Sequence, residues 1–138
     1  MLTKEECDKL NEMSEGTMHG NMGVKYLPSD DDAVWGEMPI SPVTRQYFGI
    51  LHGGASIAFA ETLAGAGSLH LINYNKEMKV CGINVTANHV SMSALEGKVY
   101  GKARLIHGGK TTHVWNVDIT GEDGRLISTE RVTNMIIK

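Results

Sequence analysis

Glu61 is the one charged residue in a long uncharged stretch. Between Arg45 and Lys76 the chain has no other Asp, Glu, Lys or Arg, and Glu61 sits among Ala58, Phe59, Ala60, Leu63 and Ala64. An ionised carboxylate in apolar surroundings is costly, so such a group is hydrogen-bonded, wetted at one spot, or kept for acid-base or nucleophilic work. Isolation alone fits equally well a side chain that points outward from one helix edge. Upstream, Gln46 precedes Gly49-Ile50-Leu51-His52-Gly53-Gly54, which leads into an Ala- and Leu-rich run. Unpaired amides and the positive end of the helix dipole collect at a helix start. Glycines there let a carbonyl oxygen come close, so Gly53 and Gly54 suit the polarisation of a carbonyl and the holding of an oxyanion. A plain glycine-rich helix start accounts for the same residues.

The elements that must position these groups follow from periodicity and turn chemistry. Thr3-Lys4-Glu5-Glu6 has the form of a capping box, and Leu2, Cys7, Leu10 and Met13 recur at helical spacing, which predicts a surface helix from Thr3 to about Met13. Val24–Leu27 and Ala33–Ile40 read as extended, joined through Pro28-Ser-Asp-Asp-Asp32 as a first hairpin. Pro39 and Pro42 lead into a loop over Thr44–Gly49. From Gly53 or Gly54 to about Leu71 the chain is free of Pro and apolar on nearly every face, as a helix enclosed by other structure would be. Four extended runs follow at about 80–91, 97–107, 112–121 and 125–137, with Gly108-Gly109 and Asp123-Gly124 as turns. Short connections favour antiparallel pairing, so the expected architecture is α+β: a curved antiparallel sheet wrapped around a long central helix, in one domain over residues 1–138.

Composition narrows the function classes. With 138 residues and 41% hydrophobic content, one ordinary core can form. The 13 basic and 16 acidic residues give a net charge of −3, which disfavours nucleic acid as a partner. The first 61 residues carry 4 basic and 10 acidic side chains and the remainder 9 and 6, so a local anion site in the second half is compatible with the charge. Cys7 and Cys81 form no Cys-x-x-Cys pair and no disulfide framework, and the polar N-terminus lacks a secretory apolar stretch, so a cytoplasmic location is expected. The most apolar stretch, Tyr47 to Ile72, is interrupted by Glu61, histidines and glycines, and no membrane span is expected.

Other motifs fail on their own terms. Gly108-Gly-Lys-Thr111 has Arg104 where a P-loop needs its first glycine, and it joins strands. The six histidines form no compact ligand set, so no metal is expected. Gly54-Ala-Ser56-Ile-Ala58 lacks the second glycine of a nucleophile elbow. Most methionines read as packing material, and Trp35 and Trp115 as core or interface aromatics.

Geometry constrains the two candidate features. Glu61 lies nine residues after His52, about 13 Å along a helix at roughly 1.5 Å per residue, so one chain cannot easily bring both to one atom. Two chains with antiparallel central helices about a two-fold axis would pair Glu61 of one with Gln46, His52 and Gly53 of the other.

The stretch Gln46-Tyr-Phe-Gly-Ile-Leu-His-Gly-Gly-Ala-Ser-Ile-Ala-Phe-Ala-Glu61-Thr62 resembles the signature of hotdog-fold acyl-CoA thioesterases. The subgroup it is similar to includes the 4-hydroxybenzoyl-, phenylacetyl- and 1,4-dihydroxy-2-naphthoyl-CoA thioesterases, and the similarity runs over roughly residues 20–138. The resemblance implies a hotdog fold, an acyl-CoA substrate, no cofactor and a dimer or tetramer with its sites at the dimer interface. It gives Glu61 the role of nucleophile or general base, Gln46 and His52 the positioning of the thioester or the attacking water, and Gly53 the polarising amide. It also implies that Gly82, His89, Val90, Ser91, Met92, His107, Gly108, Gly109, Lys110, Thr111 and Thr112 bind the coenzyme A portion. Lys98, Lys102, Arg104 and Lys110 add positive bias to this half, although each also fits a solvated sheet face. Many relatives carry Ser or Thr four residues after the acid, where this chain has Gly65. The expected function is hydrolysis of an aryl-CoA or related thioester, with 1,4-dihydroxy-2-naphthoyl-CoA hydrolysis in menaquinone synthesis as the specific form. The alternatives are a phenylacetyl-CoA or medium-chain hydrolase, a hotdog dehydratase, and a non-catalytic acyl-CoA-binding module motivated by Gly65.

Overall fold

The computed structural model describes residues 1–138. Two short helices lead the chain, α1 (Lys4–Met13) and α2 (Met18–Asn21), followed by strands β1 (Lys25–Leu27) and β2 (Ala33–Pro39), the long helix α3 (Gly53–Leu71), and strands β3 (Lys79–His89), β4 (Lys98–Gly108), β5 (Thr112–Gly121) and β6 (Leu126–Ile137). The capping box is formed: the Thr3 hydroxyl accepts from the Glu6 amide at 3.1 Å, and the Glu6 carboxylate accepts from the Thr3 amide at 2.7 Å. Helix α2 falls where no element is expected from the sequence. Thr17 starts it by accepting from the Gly20 amide at 3.1 Å, a capping signal hidden in a glycine-rich segment.

All six strands form one antiparallel sheet in the order β1-β2-β4-β5-β6-β3. This is the hotdog architecture, with the helix lying against the sheet. Helix α3 meets five strands, and its packing shows why the glycines sit where they do. Phe59, Leu63 and Ala64 are fully buried. A Cβ on Gly36 of β2 or on Gly101 of β4 would lie 2.6 Å and 2.5 Å from the Leu63 methyls, so these strands admit the helix closely only because they lack side chains there. Gly67 takes the Trp115 ring in the same way. The Trp115 indole donates to Ser68 Oγ at 3.0 Å, and Asn134 Nδ2 donates to the same oxygen, which satisfies a polar trio inside the core.

The helix is not enclosed on every face. Its buried residues, from Ala55 to Ser68, lie on the sheet side, whereas Ala58, Glu61, Thr62, Gly65 and Leu69 stay half-exposed. The apolar composition of α3 exceeds what this chain covers. Strand β3 pairs only with β6, so its other edge offers unpaired backbone groups. The methionines also depart from expectation: Met22 and Met38 are buried, but Met13, Met18 and Met92 are exposed. They end up at surface depressions and helix ends instead of in the core.

Candidate functional site

Local bonding sets the loop before α3. Thr44 accepts from the Ser41 amide and donates to the Pro39 carbonyl, and the His52 amide returns to the Thr44 carbonyl at 2.8 Å. Gly49, at φ +86, closes a tight turn in which its amide reaches the Gln46 carbonyl at 3.0 Å. Ser93 anchors the far side by accepting from the Leu51 amide at 2.7 Å.

His52 is the N-cap of α3, and its Nδ1 accepts from the Gly54 amide at 2.8 Å. This corrects the expectation that both glycine amides stand free: the Gly54 amide is occupied. The next two amides of the first turn, those of Ala55 and Ser56, both reach the His52 carbonyl. Only the Gly53 amide makes no hydrogen bond within the chain. Because Nδ1 accepts, the neutral ring carries its proton on Nε2, facing solvent as a donor. Gln46 turns its Oε1 onto the Phe48 amide, which leaves its NH2 group free to donate outward.

Gln46, Gly53 and the segment His89–Ser93 line one open depression of about 410 Å³, together with Ser56 and Ile127. His89 lies against the start of α3, so that a Cβ on Gly53 would come within 2.8 Å of its Nε2. Val90, Ser91 and Met92 border the same space, held by the Val90 amide on the Ile127 carbonyl at 2.8 Å.

Glu61 is elsewhere. It lines a second depression of about 360 Å³, between α3, α2 and the free edge strand β3, and makes no hydrogen bond or ion pair. Its carboxylate lies over Gly82, where any Cβ would overlap Oε1. Gly82 therefore makes room for the carboxylate, a role that its expected place among substrate contacts did not include. A third group, the hairpin from His107 to Thr112, is closed by the Gly109 amide on the Thr112 carbonyl at 2.9 Å and lines neither depression. The single chain thus brings Gln46, Gly53 and His89–Met92 together, and separates them from Glu61 with Gly82 and from the hairpin.

The basic residues divide in the same manner. Lys98 pairs with Glu37 at 2.8 Å, Lys102 lies 5.0 Å over the Trp35 ring, and Arg104 approaches Asp118 at 3.8 Å. These three form a solvated outer sheet face, and Lys110 in the hairpin is left without an ion-pair partner.

Residues 48–128 match the sequence profile of the thioesterase superfamily. The chain belongs to the thioesterase superfamily. It is 38% identical over 130 residues to the 1,4-dihydroxy-2-naphthoyl-CoA hydrolase of Escherichia coli K12, covering 94% of this chain and 93% of the relative. It is 35% identical over 130 residues, at 94% and 93% coverage, to a proofreading thioesterase of Cronobacter sakazakii. Its fold superposes on a mutant thioesterase from Pseudomonas aeruginosa with a TM-score of 0.90 and 32% identity, over 95% of this chain and 93% of that one. The thioesterase is accordingly a thioester hydrolase. No helix in it is long and apolar enough to cross a membrane.

Sequence reasoning missed the wall of the Glu61 depression. Met18 and His19 of α2, with Tyr26 of β1, face Glu61 across that space. His19 Nε2 lies 2.9 Å from Ser14 Oγ, and its ring meets Tyr26 edge-on at 6.5 Å between centroids. Burial holds the His19 ring below its ordinary pKa. The capping threonine at Thr17 was the signal that could have located this wall.

Proposed function

We propose that the chain is an acyl-CoA thioesterase acting on an aryl-CoA, with the dimer as its minimal active unit. The observation that carries this reading is the split of the site: Glu61 carries an unpartnered carboxylate in one depression, while Gln46 and the free Gly53 amide line another, with His52 beside Gln46 in a neighbouring depression. Register supports the same arrangement. Gly82 is aligned with Asn134 and His113 toward one end of the sheet, and His89 with Ser128 toward the other. Antiparallel pairing of two free β3 edges about a two-fold axis sets the Gly82 end of one strand beside the His89 end of its partner. Glu61 then faces the partner's α3 start.

In such a site the thioester oxygen takes hydrogen bonds from the Gly53 amide, with His52 Nε2-H and the Gln46 NH2 group as the side-chain donors that position the thioester or the water. As general base, Glu61 takes a proton from water whose oxygen attacks the carbonyl carbon; collapse of the oxyanion breaks the C–S bond, and the proton passes to the departing thiolate of coenzyme A. As nucleophile, Glu61 forms a mixed anhydride as the thiolate leaves, and water then cleaves it. A single turnover in heavy-oxygen water separates the routes, because anhydride cleavage can leave label in the Glu61 carboxylate. The segment His89–Met92 and the hairpin with Lys110 are the proposed holders of the coenzyme A portion. The Escherichia coli relative makes 1,4-dihydroxy-2-naphthoyl-CoA the first substrate to try, followed by phenylacetyl-CoA and medium-chain acyl-CoA. Two unpaired cysteines accord with a cytoplasmic setting.

Mixing two inactive variants tests the reading. Glu61→Gln dimers and His52→Ala dimers each lose activity, but a randomly mixed population contains hybrid dimers with one intact site. Recovery of about a quarter of wild-type turnover is expected. No recovery, with hybrids verified by mass, would place the site within one chain and overturn the arrangement.

A further inference from the structure

Within the single chain, Gly65 has no packing reason to be glycine. Of the 16 glycines in the chain, it alone combines an ordinary backbone with open space: a Cβ there would meet nothing within 4 Å. Every other glycine either adopts a positive φ or would press a Cβ against a neighbour. Glycine in a helix interior also weakens the helix relative to alanine. The space left free lies four residues after Glu61, on the same helix face and in the same depression. Across it stand the exposed thioether of Met18 and the His19 and Tyr26 rings, which already meet edge-to-face. Two polar groups of that wall are committed elsewhere: His19 Nε2 lies on Ser14 Oγ, and Asn134 Nδ2 donates to Ser68 Oγ. The half-exposed imidazole of His19 and the exposed Met18 thioether, backed by the buried Tyr26 ring, favour an aromatic guest over a polar one.

We infer that Gly65 is a specificity-determining residue: the aromatic acyl group of the thioester lies across it, between the Glu61 carboxylate and the Met18–His19–Tyr26 wall. This rests on the proposed role of Glu61 in an aryl-CoA thioesterase and adds where the aromatic group lies and what admits it. A side chain at residue 65 narrows the space beside the scissile carbonyl, so breadth of the acyl group is what it selects against. A linear alkyl chain, slimmer than a ring, is hindered less.

The test measures kcat/KM for benzoyl-CoA and butanoyl-CoA on the wild-type chain, Gly65→Ala and Gly65→Val, with melting temperature and oligomeric state recorded for each. Expected is a fall in the benzoyl-to-butanoyl ratio of about threefold for Ala and more than tenfold for Val, while Gly65→Ala raises Tm by about 3 °C through its helix propensity. An unchanged ratio overturns the inference. So does loss of the dimer in Gly65→Val with equal loss on both substrates, since the space would then be filled by the partner. Glu61→Gln is run beside them: if it retains full turnover, the underlying reading of Glu61 fails, whatever the ratio shows.

Discussion

The two faces of α3 share one helix and nearly one composition, yet they are treated in opposite ways. On the sheet face, large side chains and glycines interlock: Leu63 and Phe59 fill the gaps at Gly36 and Gly101, and Trp115 fills the gap at Gly67. On the other face Glu61 and Gly65 look onto an open depression and an unpaired strand edge. A glycine opposite a tryptophan is a packing device, whereas Gly65, opposite nothing, has no packing role within this chain. The same residue type thus has two meanings, and only its neighbours tell them apart.

The sharpest way to break this comparison is at Glu61. Glu61→Gln removes the charge on the open face without disturbing packing, so kcat should fall about a thousandfold while the melting temperature holds within a degree or two. Steady-state thiol release and calorimetry on the same sample check both halves.

Glu130 supplies the carboxylate counterpart on the closed face. It is 1% exposed, accepts from Ser128 Oγ at 2.7 Å through Oε1, and has no partner for Oε2. Burial first, and Asp118 next, push its pKa up to about 7 against the lowering effect of Ser128. The native state therefore holds a proton that the unfolded chain releases near the ordinary carboxylate value, and stability falls as pH rises from about 4.5 to about 7. The full drop is at most about 3 kcal/mol, since each tenfold gain in proton affinity on folding corresponds to roughly 1.4 kcal/mol. Glu130→Gln should flatten that part of the profile in denaturant titrations across about pH 4 to 8. A variant as pH-sensitive as the parent would remove Glu130 as the cause.

Gly67→Ala probes the packing device itself. The new methyl would press into the Trp115 ring, and overpacking of this kind costs about 2–3 kcal/mol. The opposite sign is expected at Gly65, so chemical denaturation of the two alanine variants side by side sharpens the contrast between the faces.

The smallest effect concerns the clasp that ties α1 to the end of α3. Glu6 Oε1 lies 2.7 Å from His70 Nδ1 and accepts from the Tyr74 hydroxyl at 3.0 Å. Partial burial pushes the Glu6 pKa up, but the Thr3 amide, His70 and Tyr74 together outweigh it and bring the value to about 2. The stabilisation is present above the unfolded carboxylate value and is lost as pH falls toward about 2. Because the clasp is only partly buried and keeps some contact with solvent, Glu6→Gln should cost about 1 kcal/mol near pH 7 and almost nothing near pH 2. Acid titration of the melting temperature reads that difference.

The long helix is legible almost residue for residue, since an unbroken apolar run bounded by His52-Gly53 and Asn73 has no competing structure. Strand β5 is legible to its observed limits, and the other late strands nearly so, because alternation and glycine turns are local signals. Helix α2 is not legible: its four residues are too few for a period, and only Thr17 marks it. The site is half legible. Glu61, Gln46, His52 and Gly53 announce themselves by type and spacing, but the capture of the Gly54 amide by His52 is a matter of one side-chain torsion that no spacing encodes.

The sequence by itself determined the family, the element order and the isolation of one carboxylate, because these depend on residue type and interval along the chain. Only the tertiary structure decided that Glu61 lies over Gly82, that α2 and Tyr26 wall its depression, and that Gln46 and Gly53, its proposed counterparts, open onto a different one. Those facts depend on distances between segments far apart in the chain, which are set by how the sheet curls around the helix and which edge it leaves unpaired.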